Sequence, residues 1–183
     1  ALDDQLKLWD ARIRVKDLEG AIILSWTIEQ ELPADKAVQV VDLNTRTVVD
    51  MLLMEHLEFG LVDSRYDRQI KIISGDPAAV AGKISEILAL IPEELSLDGN
   101  YPNPFNPVTT IRFGLPQPRN VRITVVNLLG QEITELVNGW RDIGRHEVSW
   151  QGLDQNGKPV ASGMYFTVLS NGNKIIVQKM LLL

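Results

Sequence analysis

The stretch Asn100-Tyr-Pro-Asn-Pro-Phe-Asn-Pro107 decides how the second half of this 183-residue chain is read. Proline has a fixed φ and no backbone N–H, so Pro102, Pro104 and Pro107 within six residues rule out a helix interior or a central strand. The segment reads as an extended, rigid entry. Phe105, the one large apolar side chain between these prolines, is expected to pin that entry to the core that follows. A proline-stiffened linker has the same local composition, so the residues downstream must decide between the two.

Downstream, Thr109-Thr-Ile-Arg-Phe-Gly-Leu-Pro116 and Val121-Arg-Ile-Thr-Val-Val-Asn-Leu-Leu-Gly-Gln131 are apolar runs of strand length. Gly144-Arg-His-Glu-Val-Ser-Trp-Gln-Gly152, Ala161-Ser-Gly-Met-Tyr-Phe166 and Lys179-Met-Leu-Leu-Leu183, the end of a final strand over Lys174–Leu183, continue the series. Gly130 stands where a hairpin turn needs positive φ, and Asp154-Gln-Asn-Gly157 offers a second turn of that kind. Trp150 and Phe166 are expected to fill the core. The last strand is strongly apolar, and a terminal edge strand is open to pairing with another protein. Asp154 and Asn156 place oxygens at alternate positions, as Ca²⁺ requires. With no acidic residue nearby to complete a cage, a turn is the better account.

In order and spacing these five motifs resemble the type A C-terminal sorting domain of proteins exported by the type IX secretion system, over about residues 95–183. The resemblance implies a sorting signal made of Asn100, Tyr101, Pro102, Asn103, Pro104, Phe105, Asn106 and Pro107, with Gly130, Gly163, Lys179, Met180, Leu181 and Leu182. It also implies the partners: an outer-membrane translocon that reads the domain after periplasmic export, and a sortase-like peptidase that removes it and attaches the upstream cargo to surface lipopolysaccharide. The expected location is the medium or the outer surface of a Gram-negative bacterium. Two positions depart from the family pattern. Gln151 stands where Asp usually follows the tryptophan, and the sequence stops at Leu183 where the family usually has a basic residue.

The first half also reads as strands. Leu6-Lys-Leu-Trp-Asp-Ala-Arg-Ile-Arg-Val15 alternates apolar and polar residues with a phase shift at Trp9-Asp10, which predicts a bulge. Asp17-Leu-Glu-Gly20 predicts a turn, and Ala21-Ile-Ile-Leu-Ser-Trp-Thr-Ile28 its hairpin partner. Val38–Leu43 and Val48–Leu52 around Asn44–Thr47 predict a second hairpin. His56–Gly60 and Arg68–Ile73, separated by the polar Asp63–Asp67, complete about six strands of an antiparallel sandwich. At Asp76 the period changes. Asp76 suits an N-cap and Pro77 the first helical turn, with Val80, Ile84, Ile87, Leu88 and Ile91 on one face before Pro92 stops the helix. Glu93–Asn100 is expected to be a connector.

The predicted architecture is mainly β: two consecutive antiparallel, immunoglobulin-like β-sandwich domains over 1–75 and 100–183, with a helix and linker over 76–99. Charge divides the chain similarly. Residues 1–98 hold 10 Lys+Arg against 19 Asp+Glu, net −9, and residues 99–183 hold 8 against 5, net +3. An acidic first half argues against nucleic acid as a partner. No run approaches the roughly 18 consecutive apolar residues of a membrane span. The N-terminus lacks the basic and apolar regions of a signal peptide, which predicts that an exported form begins further upstream.

Catalytic signals are sparse. There is no cysteine, which excludes a thiol nucleophile and a Cys-based zinc site. His56 and His146 both read as solvent-facing strand residues. Gly-x-Ser-x-Gly and phosphate-cradling glycine loops are absent. No catalytic residue, metal or cofactor is therefore expected. Of Trp9, Trp26, Trp140 and Trp150, only Trp140 stands in a context free enough to contact a ligand. Two other classes compete: a structural module similar to that of flagellar hook-capping proteins, and a carbohydrate-binding first sandwich serving an upstream hydrolase.

Overall fold

The computed structural model describes residues 6–16, 22–29, 32–59 and 65–183. The chain divides into two compact units, Ala1–Leu90 and Ile91–Leu183. Both are built mainly from antiparallel strands.

The first unit holds β1 (Lys7–Lys16), β2 (Ile22–Ser25), β3 (Ala37–Asp42), β4 (Thr47–Asp50), β5 (His56–Phe59), β6 (Arg65–Gly75) and α1 (Pro77–Ala89). One sheet has the order β1-β6-β3-β4, and a second pairs β2 with β5. Val40, Val49, Phe59 and Ile70 form the core between them, flanked by Ile13, Ile22, Leu24, Trp26 and Leu57. The β3–β4 hairpin forms as its pattern predicts. The β1–β2 hairpin does not: β1 pairs with β6 and β2 with β5. Its predicted turn at 17–20 lies outside the described residues, as do Asp63 and Ser64, while 65–67 belong to β6.

The predicted bulge in β1 is also absent, since Lys7 to Lys16 pair one-to-one with Ser74 to Arg65. The phase shift has another cause. Leu8 lies opposite Ile73 on one face, and Ala11 and Ile13 lie opposite Ile70 and Arg68 on the other. The face carrying Val41 and Ile73, both fully buried, is covered by α1, which packs on β3 and β6 through buried Val80 and Ile84. With apolar residues wanted on both faces, the alternation changes phase without an extra residue. Asp76 caps α1 as predicted, accepting from the amides of Ala78 (3.0 Å) and Ala79 (3.1 Å), with Pro77 at the first helical position. At the β3–β4 turn Asp42 is buried, 3.2 Å from the Arg68 guanidinium, and it also accepts from the Asn44 amide and the Thr45 hydroxyl.

The second unit holds β7 (Ser96–Tyr101), β8 (Thr109–Leu115), β9 (Arg119–Val126), β10 (Glu132–Arg141), β11 (Gly144–Trp150), β12 (Gly163–Ser170) and β13 (Ile175–Leu182). Sheet β10-β9-β12-β13 and sheet β11-β8-β7 enclose two buried clusters, one centred on Phe113, Leu115, Ile123 and Leu169 and one on Phe105, Trp150, Tyr165 and Met180. Ser96–Tyr101, within the stretch read as a connector, is a strand. Its Asp98-Gly99-Asn100 turn residues are accommodated by an irregularity between Leu97 and Gly99. Gly130 closes the β9–β10 turn at φ 77°, where its amide donates to the Asn127 carbonyl. Tyr165, rather than Phe166, fills the core, because the β12 alternation buries Tyr165, Thr167 and Leu169 and turns Phe166 outward.

Candidate functional site

The proline segment is the β7–β8 connection, and it crosses to the end of β13. The peptide bonds preceding Pro102, Pro104 and Pro107 are cis. Phe105 bridges to Leu182 in a parallel sense: its amide donates to the Leu181 carbonyl and its carbonyl accepts from the Leu183 amide, both at 3.0 Å. Asn103 does the same through its side chain. Its Oδ1 accepts from the Leu181 amide at 3.0 Å and its Nδ2 donates to the Lys179 carbonyl at 3.3 Å. A primary amide carries one acceptor and a donor in the geometry of a peptide group, so Asn103 stands in for one residue of a neighbouring strand. The edge of β13 at 179–183, expected to be open, is thus occupied by Asn103 and Phe105.

The segment is fastened at both ends. Asn100 donates to the Pro102 carbonyl (3.1 Å) and the Thr109 hydroxyl (2.9 Å), and Thr109 donates to Pro102 (2.8 Å). The Phe105 ring is 1% exposed and lies 5.5 Å from Trp150, which meets Tyr165 edge-on at 5.2 Å. Each polar tip of that aromatic row is satisfied, Trp150 donating to the Leu153 carbonyl and Tyr165 to the Ala161 carbonyl. Burial pushes the Tyr165 phenol above its ordinary value. Gly152, at φ 67°, leaves room for the segment, since a Cβ there would meet the Pro107 carbonyl at 3.2 Å. The Trp150-Gln-Gly152 motif therefore supports the proline segment, a link that sequence spacing alone does not reveal.

The other site residues fall in distinct places. Pro102, Pro104, Asn106 and Pro107 are exposed around Phe105, and Tyr101 is exposed beside them. Met180 and Leu182 are buried in the core, whereas Lys179 and Leu181 face outward, opposite Phe166 and Met164. Gly163 opens β12 opposite Leu182, and Gly130 lies in the β9–β10 turn.

The expectations for His146 and Trp140 need correction. His146 is not solvent-facing: its ring stacks on Phe113 at 5.1 Å and its Nε2 lies 2.7 Å from the Asp142 carbonyl. Trp140 is half-buried rather than free for a ligand. Asp154 turns its carboxylate onto the amides of Lys158 and Asn156, both at 2.8 Å. Those bonds, that from Lys158 first, hold its pKa below the usual carboxylate value. Among the described residues no group of three or more His, Cys, Asp or Glu could hold a metal. No helix among them is long and apolar enough to cross a membrane.

Residues 100–182 match the sequence model of the secretion system C-terminal sorting domain. That span runs from the anchoring Asn100 to the buried Leu182. No curated protein matches the chain. Among solved structures it is similar to PorZ, an essential bacterial surface component of the type-IX secretion system of the human oral-microbiomic Porphyromonas gingivalis. The identity is 18% and the TM-score 0.35, over 61% of this chain and 14% of that one.

Proposed function

We propose that the second unit, whose residues 100–182 match the secretion system C-terminal sorting domain model, is the non-catalytic sorting signal of a longer secreted or cell-surface bacterial protein, read by an outer-membrane translocon after periplasmic export. The observation that carries this reading is the junction of Asn103 and Phe105 with 179–183. It makes one surface of two motifs that lie more than 70 residues apart. In this reading Met180 and Leu182 hold the strand in the core, and Lys179 and Leu181 are what the receptor touches. With the strand edge occupied there, the receptor reads side chains instead of adding a strand of its own. A sortase-like peptidase then removes the unit and lipopolysaccharide receives the cargo. The acidic first unit serves as a spacer or small interaction module between cargo and signal.

The test is to fuse Ile91–Leu183 behind a reporter bearing a signal peptide, in a type IX-competent bacterium and in its translocon mutant. Export that is lost in the mutant is expected. Retention of a folded, intact fusion in the periplasm of both strains refutes the reading. Within it, Leu181→Asp is expected to abolish export while leaving the fold intact, because Leu181 faces outward.

A further inference from the structure

A second feature of this unit lies at Arg119 and Arg141, apart from the proline segment. The two arginines are directly opposite each other in the β9–β10 register. They share a face with Val121, Ile123 and Val137 by strand alternation, and those three are buried. Two like charges at this position, with Cβ atoms about 5 Å apart, repel each other and destabilise the pairing. Neither guanidinium has a carboxylate within ion-pair distance among the described residues; Arg141 donates only to the carbonyl of its neighbour Trp140, at 2.9 Å. Arg119 is half-buried, and its Nε is fully buried without a hydrogen-bond partner. A buried donor left unpaired is a second cost at the same place.

There is also room. Gly139, the next residue on this face, pairs with Val121, and a Cβ added to it would meet nothing within 4 Å. Open space therefore lies beside the pair on the face that the two arginines share with Gly139. One ligand would relieve both costs: an oxyanion with at least two oxygens, each able to accept from a guanidinium fork. A phosphoryl group, carrying about −1.5 to −2 at neutral pH, matches the two positive charges better than a single carboxylate does.

We propose that Arg119 and Arg141, beside the space left by Gly139, form a binding site for a phosphoryl group, either free phosphate or the phosphate of a phosphorylated sugar. The site is independent of the sorting reading. The test uses the full chain. The arginine Nε–Hε resonances are followed by NMR while inorganic phosphate is titrated in at constant ionic strength, with chloride as the balancing anion. A saturable shift at both resonances is expected. Arg141→Lys, which keeps the charge and removes the fork, is expected to raise the dissociation constant about tenfold without loss of fold. Arg119→Gln is expected to abolish the shift at Arg141 and, without phosphate, to leave thermal stability unchanged or higher because the repulsion is gone. Repeating the titration with glucose 1-phosphate separates the sources: tighter binding assigns a sugar phosphate, equal or weaker binding the free ion. No saturable shift up to about 20 mM phosphate, or unchanged binding in both variants, overturns the proposal.

Discussion

Replacing Phe105 by alanine tests whether the proline segment is held by its plug or only by its backbone bonds. The ring is 1% exposed and packs with Ile111, Val125, Trp150, Tyr165, Met180 and Leu182. Removing a fully buried phenylalanine side chain costs about 3–5 kcal/mol, a large share of the roughly 5–15 kcal/mol that holds a domain together. Ile123 lies in β9, which is paired on both sides, so its amide exchanges with solvent through global opening of the unit. At about 1.4 kcal/mol per tenfold, Phe105→Ala is expected to speed that exchange by two to almost four orders of magnitude. Asn103→Ala is the contrast. It removes one acceptor from the Leu181 amide, worth about 0.5–1.5 kcal/mol, so Leu181 exchange is expected to rise roughly 2- to 13-fold with Ile123 little changed. Hydrogen exchange by NMR reads both. If Phe105→Ala leaves Ile123 within a factor of about ten of the wild type, the plug argument is wrong.

Asp76→Ala removes the cap of α1 and is expected to cost the first unit about 1 kcal/mol in urea unfolding, within the usual range of about 0.5–2; no change means the helix is held by packing alone. Asp42→Ala leaves the Arg68 guanidinium buried without its carboxylate and is expected to cost about 3–5 kcal/mol by the same assay, whereas a loss under 1 kcal/mol would show that water reaches the site. Tyr165 is held above its ordinary pKa of about 10 by burial. Its contribution is therefore fully present below pH 10 and lost as pH rises through the folded value, so Tyr165→Phe is expected to flatten the alkaline fall in stability of the second unit. Equal alkaline slopes in the two proteins count against this.

Local chemistry was legible wherever a residue type acts on its own neighbours. Asp76-Pro77 announces the helix start, Gly130 the hairpin, and the alternation of Val38–Leu43 its strand. Partnership across the chain was not. β1 finds β6 at separations of 49 (Lys16 to Arg65) to 67 residues (Lys7 to Ser74), and no pattern within Lys7–Lys16 says so. The phase shift at Trp9-Asp10 was visible but ambiguous, because a bulge and a sheet buried on both faces leave the same trace. Strand β7 was hidden by Asp98-Gly99-Asn100, residues that favour turns until a neighbouring strand holds them extended. The proline segment and the terminal strand each stand out in the sequence, yet their junction is made by the Asn103 amide and the Phe105 backbone meeting residues 179–183, and neither contact leaves a periodicity in the sequence. Arg119 and Arg141 carry no signal until the β9–β10 register sets them opposite each other.

The way Asn103 meets β13 bears on how this unit behaves at high concentration. An ordinary strand laid along an edge offers a fresh row of donors and acceptors on its far side, so pairing can propagate from molecule to molecule into a fibre. Asn103 satisfies Lys179 and Leu181 with a side chain, and the residues around it are prolines, which have no N–H to offer the next strand. The ladder ends there. A chain crowded with its own copies in a confined compartment thus carries a chain terminator against self-templated growth, set against a strand, β13, in which six of eight residues are apolar.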